Sequence, residues 1–407
     1  MSAPNTPSRR KKIGIDYTAA AWQGAGIGRY TRELVQAIIA LGGEFAYTLF
    51  YAAGGLDRTS PYLADLRQLC EYYPHVRAVP IPLTPRRLTQ IWQRLRLPLP
   101  VEYFTGPLDI LHAPDFVLPP TRARTIVTIH DLSFLVYPEC AAPGMARYLA
   151  SAVPRGLRRA NIVLADSHAT RQDLVRLLAI DPTRVVVVYP GVGARFRPLP
   201  PQTIAPVRQR LGLPERFLLF VSTLEPRKNV VRLLEAFAQF DAGRTTNDEQ
   251  DPQHQAQTPD QLSPYQLVIA GRRGWLYQEI FAAIERLRLR DRVRILDFVD
   301  DNDLPALYNL AWAFVYPSIY EGFGLPALEA LACGTPLLTA DNSSLPEVVG
   351  DAAVLVPADD VGAIAAGIAR VVNDAALRAR LRVAGPLRAR AFSWEQAARL
   401  VLTCYQH

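Results

Sequence analysis

Lysine is nearly missing from this chain. Of its 45 basic residues only Lys11, Lys12 and Lys228 are lysine, and the first two lie in a polar N-terminal stretch. An ammonium is a compact point charge and a guanidinium a planar fork, so a lone lysine in an arginine-biased chain is either chance or a place that wants the point charge. Cysteine is scarce as well. Cys70, Cys140, Cys333 and Cys404 are widely spaced, with no Cys-x-x-Cys pair and no nearby histidine cluster. That excludes a disulfide framework and a zinc site of ordinary spacing, and a reducing cytoplasm is the expected compartment. No apolar run approaches the ~20 residues needed to cross a bilayer, so no spanning helix is expected. The opening MSAPNTPSRRKK has no apolar segment behind it. It is no secretory signal, and residues 1–12 read as a disordered lead.

The balance of charge is positive, with a net +7 and a pI near 9.3. It permits attraction to nucleic acid, anionic lipid or phosphorylated small molecules. Zinc-finger spacing, an RNP-like aromatic strand and a basic base-reading helix are all missing, so no nucleic-acid partner is expected. A length of 407 residues exceeds one ordinary core, and 49% hydrophobic with 20% charged residues is a globular composition. Two domains are expected. Apolar strands alternate with helical periods: Lys12–Tyr17, Phe45–Tyr51, Val76–Val79, Ile110–Ala113, Thr125–His130, Ile162–Ala165 and Val185–Tyr189. After the Pro-rich stretch Arg197–Pro206 the pattern restarts with Phe217–Ser222, Gln266–Ala270, Arg294–Phe298, Trp312–Pro317, Pro336–Ala340 and Ala353–Val356. Such alternation predicts an α/β fold with parallel sheets, as an N-terminal domain over 13–197 and a C-terminal one over 198–391. Residues 392–407 form a terminal helix with Ser393 as N-cap, expected to pack back on the N-terminal domain. Residues 241–264 hold little apolar content and read as a mobile insertion.

Four stretches carry chemistry. In YPSIYEGFGLPALEALACGTPLLT, Tyr316–Thr339, a buried strand is broken by Gly322 and Gly324, and Pro326 suits the first turn of the helix that follows. Glu321 then sits on a strand-to-helix turn and Glu329 within the first turn or so of the helix, whose unpaired N–H groups attract anions. GAGIGRY, Gly24–Tyr30, also joins a strand to a helix, but its alternating glycines lack the dinucleotide spacing. It suits either a tight turn or a close approach to a ligand. TLEPRKN, Thr223–Asn229, sets Arg227 and Lys228 after a core strand and beside a helix start, where they are either a solvated basic pair or a pair that suits a diphosphate. TIHDLSF places His130 at a strand end, where it is either a structural histidine or a site residue; Asp131 either orients it or caps the turn.

Together these motifs resemble the retaining family-4 glycosyltransferases, over nearly the whole chain and most specifically in Pro317–Ala353. The variants of TIHDLSF and TLEPRKN are similar to the mannosyltransferase branch. The resemblance implies a GT-B architecture, two Rossmann-like domains facing each other across an interdomain cleft. It implies a nucleotide-sugar as donor substrate, GDP-mannose first among them, and a glycan or lipid-linked glycan as acceptor, with no cofactor. In the family's pattern Glu321 holds the donor sugar's hydroxyls and Glu329 the ribose. Arg227 and Lys228 hold the diphosphate, Gly26 approaches it through its backbone, and His130 lies near the transferred sugar. The backbone of Gly322, Phe323, Gly324 and Leu325 completes the donor pocket. Cations and helix N–H groups would stabilise the leaving diphosphate in place of a metal, so no metal is expected. A two-carboxylate glycosidase is rejected, because eight residues of turn and helix need not flank one anomeric carbon. A sugar-nucleotide epimerase and a silent nucleotide-sugar-binding protein are the alternatives. Finally, Pro85–Pro100 mixes arginine with leucine, isoleucine and tryptophan and reads as a basic amphipathic helix. It suits either ordinary packing or peripheral contact with an anionic membrane, at the inner face in a cytoplasmic protein.

Overall fold

The computed structural model describes residues 10–24, 26–57, 59–250 and 265–407, with 243–250 described by backbone alone. Thirteen strands form two wholly parallel sheets among these residues. The first sheet comprises β1 (Lys12–Asp16), β2 (Ala46–Ala52), β3 (Val76–Ile81), β4 (Ile110–Ala113), β5 (Arg124–Ile129), β6 (Ile162–Ala165) and β7 (Val185–Val187), in the order β3-β2-β1-β4-β5-β6-β7. The second comprises β8 (Phe217–Val221), β9 (Gln266–Ala270), β10 (Val293–Leu296), β11 (Ala313–Tyr316), β12 (Leu337–Ala340) and β13 (Val354–Val356), in the order β10-β9-β8-β11-β12-β13. Both are Rossmann-like. Strands such as Phe217–Val221 and Leu337–Ala340 are nearly continuous apolar runs because parallel sheets are covered on both faces, and each of the four residues of β12 is buried. In each sheet the strand order reverses once, between β1 and β4 and between β8 and β11. Ligands of such sheets bind beyond the carboxyl ends of the strands at that reversal.

Packing divides the chain into two units. One joins the chain up to Leu132 with Arg147–Gly191 and Ser393–His407; the other joins Ser133–Ala146 with Val192–Phe392. The helices that position the chemistry are α1 (Ile27–Leu41), α2 (His168–Leu178), α3 (Val230–Gln250), α4 (Leu325–Ala332) and α5 (Trp394–Gln406). The Ser393 hydroxyl caps α5 by accepting the Gln396 N–H at 3.1 Å, and Ala398, Val401 and Tyr405 bury its inner face in the first unit's core with Ile13, Leu34 and Ile38. The Lys11 ammonium donates to the Gln406 carbonyl at 2.8 Å, a cation on the last carbonyls of a helix. Arg10 to Lys12 therefore belong to the fold; the rest of the expected lead, 1–9, lies outside the described residues.

Three stretches depart from the sequence pattern. Helix α3 runs on to Gln250, through the first part of the polar segment, and 251–264 lies outside the described residues. A helix, Pro201–Leu211, opens inside the Pro-rich stretch, since proline fits the first helical turn. Pro85–Pro100 is not one amphipathic helix. It makes one short turn of α-helix, Pro85–Thr89, then a wide π-helical turn, Gln90–Arg94. Pro98 and Pro100 stop it, because the residue before a proline is pushed away from the helical region.

Candidate active site

The strongest convergence of charge lies at the reversal point of the second sheet. The turn after β8 carries Glu225, Arg227, Lys228 and Asn229, and the turn after β11 carries Ser318, Tyr320 and Glu321. Backbone and side chain stitch the two together. The Arg227 carbonyl accepts from the Ile319 N–H at 2.9 Å and the Ser318 hydroxyl at 3.1 Å, while the Asn229 amide donates to the Pro317 carbonyl at 2.9 Å. Ser343 and Ser344 pin the main chain of Glu321 from the other side, accepting its N–H at 3.0 Å and donating to its carbonyl at 2.9 Å.

Glu321 is the hub. Its Oε1 accepts from Lys228 Nζ at 2.6 Å, the Tyr316 hydroxyl at 2.7 Å and the Ser318 hydroxyl at 2.6 Å, and its Oε2 accepts from Arg227 at 3.1 Å. Arg227 turns its other nitrogen to Glu225 at 2.8 Å. Lys228 and Glu321 are only 7% and 6% exposed, so neither charge is solvated and each depends on the other. Burial alone would raise the Glu321 carboxyl, but Lys228 and Arg227, with the Lys228 and Ser318 hydrogen bonds, bring it down to about 2. It is ionised at any ordinary pH. Lys228, the buried one of the three lysines, thus serves as a point charge on a carboxylate oxygen that also takes two hydroxyls, a geometry a flat guanidinium fork would not fill.

Glu329 lies on α4, 3% exposed, and accepts the Tyr308 hydroxyl at 3.0 Å. The helix opens at Gly324, whose φ of +96° suits a residue without a Cβ. A Cβ there would also meet Leu345 at 2.8 Å. Phe323 is buried edge-on against Phe392, with 5.5 Å between centroids, so of Gly322–Leu325 it is the backbone that borders the turn. A cavity of about 360 Å³ adjoins Glu225 and Asn229, but Glu225, Glu235 and Glu279 line it against Arg232. Three carboxylates to one cation do not suit a diphosphate.

His130 and Gly26 belong to the first unit: His130 lies just beyond β5, and Gly26 follows the short helix Thr18–Trp22, which stands where a direct strand-to-helix turn was expected. Gly26 caps α1 with φ +58°, and no atom of the described residues lies within 4 Å of where a Cβ would stand. Gly24 and Gly28 serve packing instead: a Cβ would meet the Tyr62 hydroxyl at 2.2 Å and the Gln23 carbonyl at 2.1 Å respectively. Buried Arg32 clamps this turn, donating at 2.7 Å each to the carbonyls of Ala20, Gln23 and Gly24. His130 spends both ring nitrogens inside the unit, Nδ1 on Asp166 at 2.7 Å and Nε2 on the Pro114 carbonyl at 2.9 Å. The structure thus gathers Arg227, Lys228 and Glu321 into one cluster.

Sequence reasoning missed Glu225, Tyr316, Ser318, Tyr308 and Asp166. Glu225 stood two residues before a noticed arginine, which was signal enough; Tyr316 and Tyr308 resemble any core aromatic.

Known proteins agree with this architecture. Residues 24–195 match Glycosyltransferase Family 4 and residues 204–388 match Glycosyl transferases group 1. The O-antigen chain mannosyltransferase B of Escherichia coli is 31% identical over 386 residues, 94% of this chain and 96% of that one. The serotype-specific mannosyltransferase WbdA of Escherichia coli is 28% identical over 69% of this chain, which spans only 33% of that longer protein. Among solved structures, sucrose-phosphate synthase of Thermosynechococcus elongatus has a TM-score of 0.73 at 22% identity, covering 98% of each chain. The fold is that of the GT-B glycosyltransferases, and the chain belongs to the family-4, group 1 glycosyltransferases. It is an enzyme of glycosyl transfer, acting on a sugar donor and an acceptor. No helix among the described residues is long and apolar enough to cross a membrane.

Proposed function

We propose that this enzyme moves mannose from GDP-mannose to a lipid-linked glycan of a surface polysaccharide, with retention of anomeric configuration and without a metal ion. Similarity to the O-antigen mannosyltransferase along nearly both full lengths supports the choice of sugar and acceptor. The single structural observation that carries the chemistry is the buried cluster of Arg227, Lys228 and Glu321 at the reversal point of the second sheet. As the bond from sugar to diphosphate breaks, negative charge grows on the leaving oxygens. Two fixed cations meet that charge without reorganising, which is the most effective form of electrostatic catalysis. Glu321 holds both cations, Lys228 on Oε1 and Arg227 on Oε2, and Oε2 also takes the sugar's hydroxyls. Glu329 takes the ribose, and the backbone of Gly322–Leu325 closes the pocket. Neither glutamate is a nucleophile.

A thermal-shift screen of nucleotides and nucleotide-sugars tests this, since a ligand that binds only the native state must raise its melting temperature. GDP and GDP-mannose should raise it most. No shift with any of them would sink the donor reading, and EDTA that slowed transfer would sink the metal-free one.

Peripheral membrane contact is the second part of the proposal. Arg86, Arg87, Arg94 and Arg96 are exposed around Leu95 and Leu97, which leave 67% and 48% of their surface in solvent. Basic residues beside exposed leucines suit an anionic lipid surface, where a lipid-linked acceptor resides. Cosedimentation with vesicles containing phosphatidylglycerol should exceed that with neutral vesicles, and should fall for Leu95→Ser/Leu97→Ser. Equal sedimentation with both would remove the membrane from the account.

A further inference from the structure

Two buried histidines, one on β4 and one just beyond β5 in the middle of the first sheet, differ in what surrounds them. His112, on β4, faces two hydroxyls, Tyr405 at 2.7 Å from Nδ1 and Thr128 at 3.4 Å from Nε2. A hydroxyl can give or take a proton, so this ring stays neutral, and burial pushes it down to about 3. His130, just beyond β5, faces a carboxylate and a backbone carbonyl, Asp166 Oδ2 at 2.7 Å and Pro114 O at 2.9 Å. A carbonyl only accepts, so Nε2 must carry a hydrogen. A proton must also lie between Nδ1 and Oδ2; burial raises the Asp166 carboxyl and His130 pulls it back, while Asp166 and Asp115 lift the imidazole, which keeps the proton. Both nitrogens then donate, and the ring is an imidazolium.

The elements packed on the ring hold it there. Tyr30 of α1 lies edge-on with 4.7 Å between centroids, and Phe116 does so from the β4 loop at 5.3 Å. The Thr170 hydroxyl of α2 donates to the His130 carbonyl at 3.1 Å, while Ser167 caps the same helix at Thr170. Burial alone would lower His130, but Asp166, its hydrogen bond, Asp115 and the Pro114 carbonyl lift it to about 9. Of the other ionisable groups that bear on this pair, Asp131 is next along the chain and acts on Asp166, and the buried Tyr30 phenol is pushed well above its ordinary value. Through Nε2 the ring fastens Pro114, and the Phe116 N–H is tied to the Thr128 carbonyl at 3.0 Å. The loop so fixed, Pro114 to Phe116, leaves β4 at the reversal point of the first sheet, and it carries Asp115, whose carboxyl burial pushes up and His130 pulls back down.

We propose that Asp166 is a positioning residue for glycosyl transfer: it keeps His130 a fixed imidazolium, and through that cation sets the Pro114–Phe116 loop at the ligand-binding edge of the first sheet. The inference rests on the chain's glycosyl-transfer activity but on no particular sugar.

In Asp166→Asn the ring loses its carboxylate while remaining buried, so its proton should leave near or below the ordinary ~6.5 instead of near 9. The initial rate with GDP-mannose as donor probe should then fall by more than about tenfold between pH 6 and pH 8, where the wild type changes little. Asp166→Glu should restore most of the wild-type profile. A rate lowered by one factor at every pH would overturn the proposal, since a purely structural support would act that way. Nitrogen-15 NMR of the wild type, with the His130 signal assigned by its loss in His130→Gln, needs no substrate and no folded Asp166 variant. Two protonated ring nitrogens at pH 7.5 are expected. One unprotonated nitrogen would overturn the proposal whatever the donor proves to be.

Discussion

Glu321 accepts hydrogen bonds from four side chains, and this explains why a carboxylate stands on a turn where any polar residue could cap a helix. Its stability contribution has a definite sign. Because its folded pKa is near 2 and the ordinary value is 4.5, the contribution is complete above about 4.5 and fades as pH falls toward 2. Acid should therefore loosen the second unit in that window. Glu329 is placed differently, on α4 with the Tyr308 hydroxyl on one oxygen. A ribose contact is made equally in ground and transition states, so Glu329→Gln should raise the donor KM while kcat stays within about twofold. Steady-state kinetics at varied donor would decide it, and a collapse of kcat at saturating donor would move Glu329 to the reacting sugar. The spacing of the two glutamates was legible because glycine and proline punctuate that stretch. Their partners were not, because a tyrosine on a strand carries no mark of what its hydroxyl will meet.

At the scale of elements, Gly24, Gly26 and Gly28 were legible as a turn before a helix, but the short helix Thr18–Trp22 stands between β1 and that turn, so it joins two helices and not a strand and a helix. What each glycine does was not legible, because that depends on distant groups: the Tyr62 hydroxyl, the Gln23 carbonyl and the open side of Gly26. Their substitutions should separate accordingly. Gly28→Ala forces a Cβ against the carbonyls of Gln23 and Ala19, at 2.1 and 2.8 Å, and backbone cannot swing aside as a side chain can. It should cost about 1–3 kcal/mol or more of unfolding free energy. Gly26→Ala meets no atom of the described residues, but φ +58° with ψ −126° is a region that other residues rarely adopt, so it should cost about 1–3 kcal/mol of backbone strain, with a raised donor KM as its main effect on activity. Steady-state kinetics of both variants, once shown to be folded, measure the difference. A donor KM raised equally in both would contradict this division of labour. The same dependence on distant contacts explains the helix ends. Proline and polar residues predicted breaks at Arg197–Pro206 and after Phe240, but α3 and the helix Pro201–Leu211 run through them.

For the whole molecule, all thirteen strands could be read from sequence because buried parallel strands are short apolar runs separated by helical periods. Their order could not, since each sheet reverses at a place fixed by packing rather than by local pattern. That reversal is what brings the turns after β8 and β11 together, although residues 227 and 321 are far apart in the chain. The account's central claim is that this junction, with Glu321 at its centre, holds a nucleotide-sugar for transfer. Breaking a buried ion pair is costly, about 3–5 kcal/mol, so folding of Glu321→Gln must be verified first. The most direct measurement is transfer of labelled mannose from GDP-mannose to a lipid-linked acceptor by wild type and by folded Glu321→Gln, with GDP affinity measured alongside. Misplacing the anomeric carbon by up to about 1 Å costs on the order of 100-fold in rate, so turnover should fall by about that factor while GDP binds nearly as before. Wild-type turnover in the variant, or loss of GDP binding without loss of turnover at saturating donor, would contradict the account.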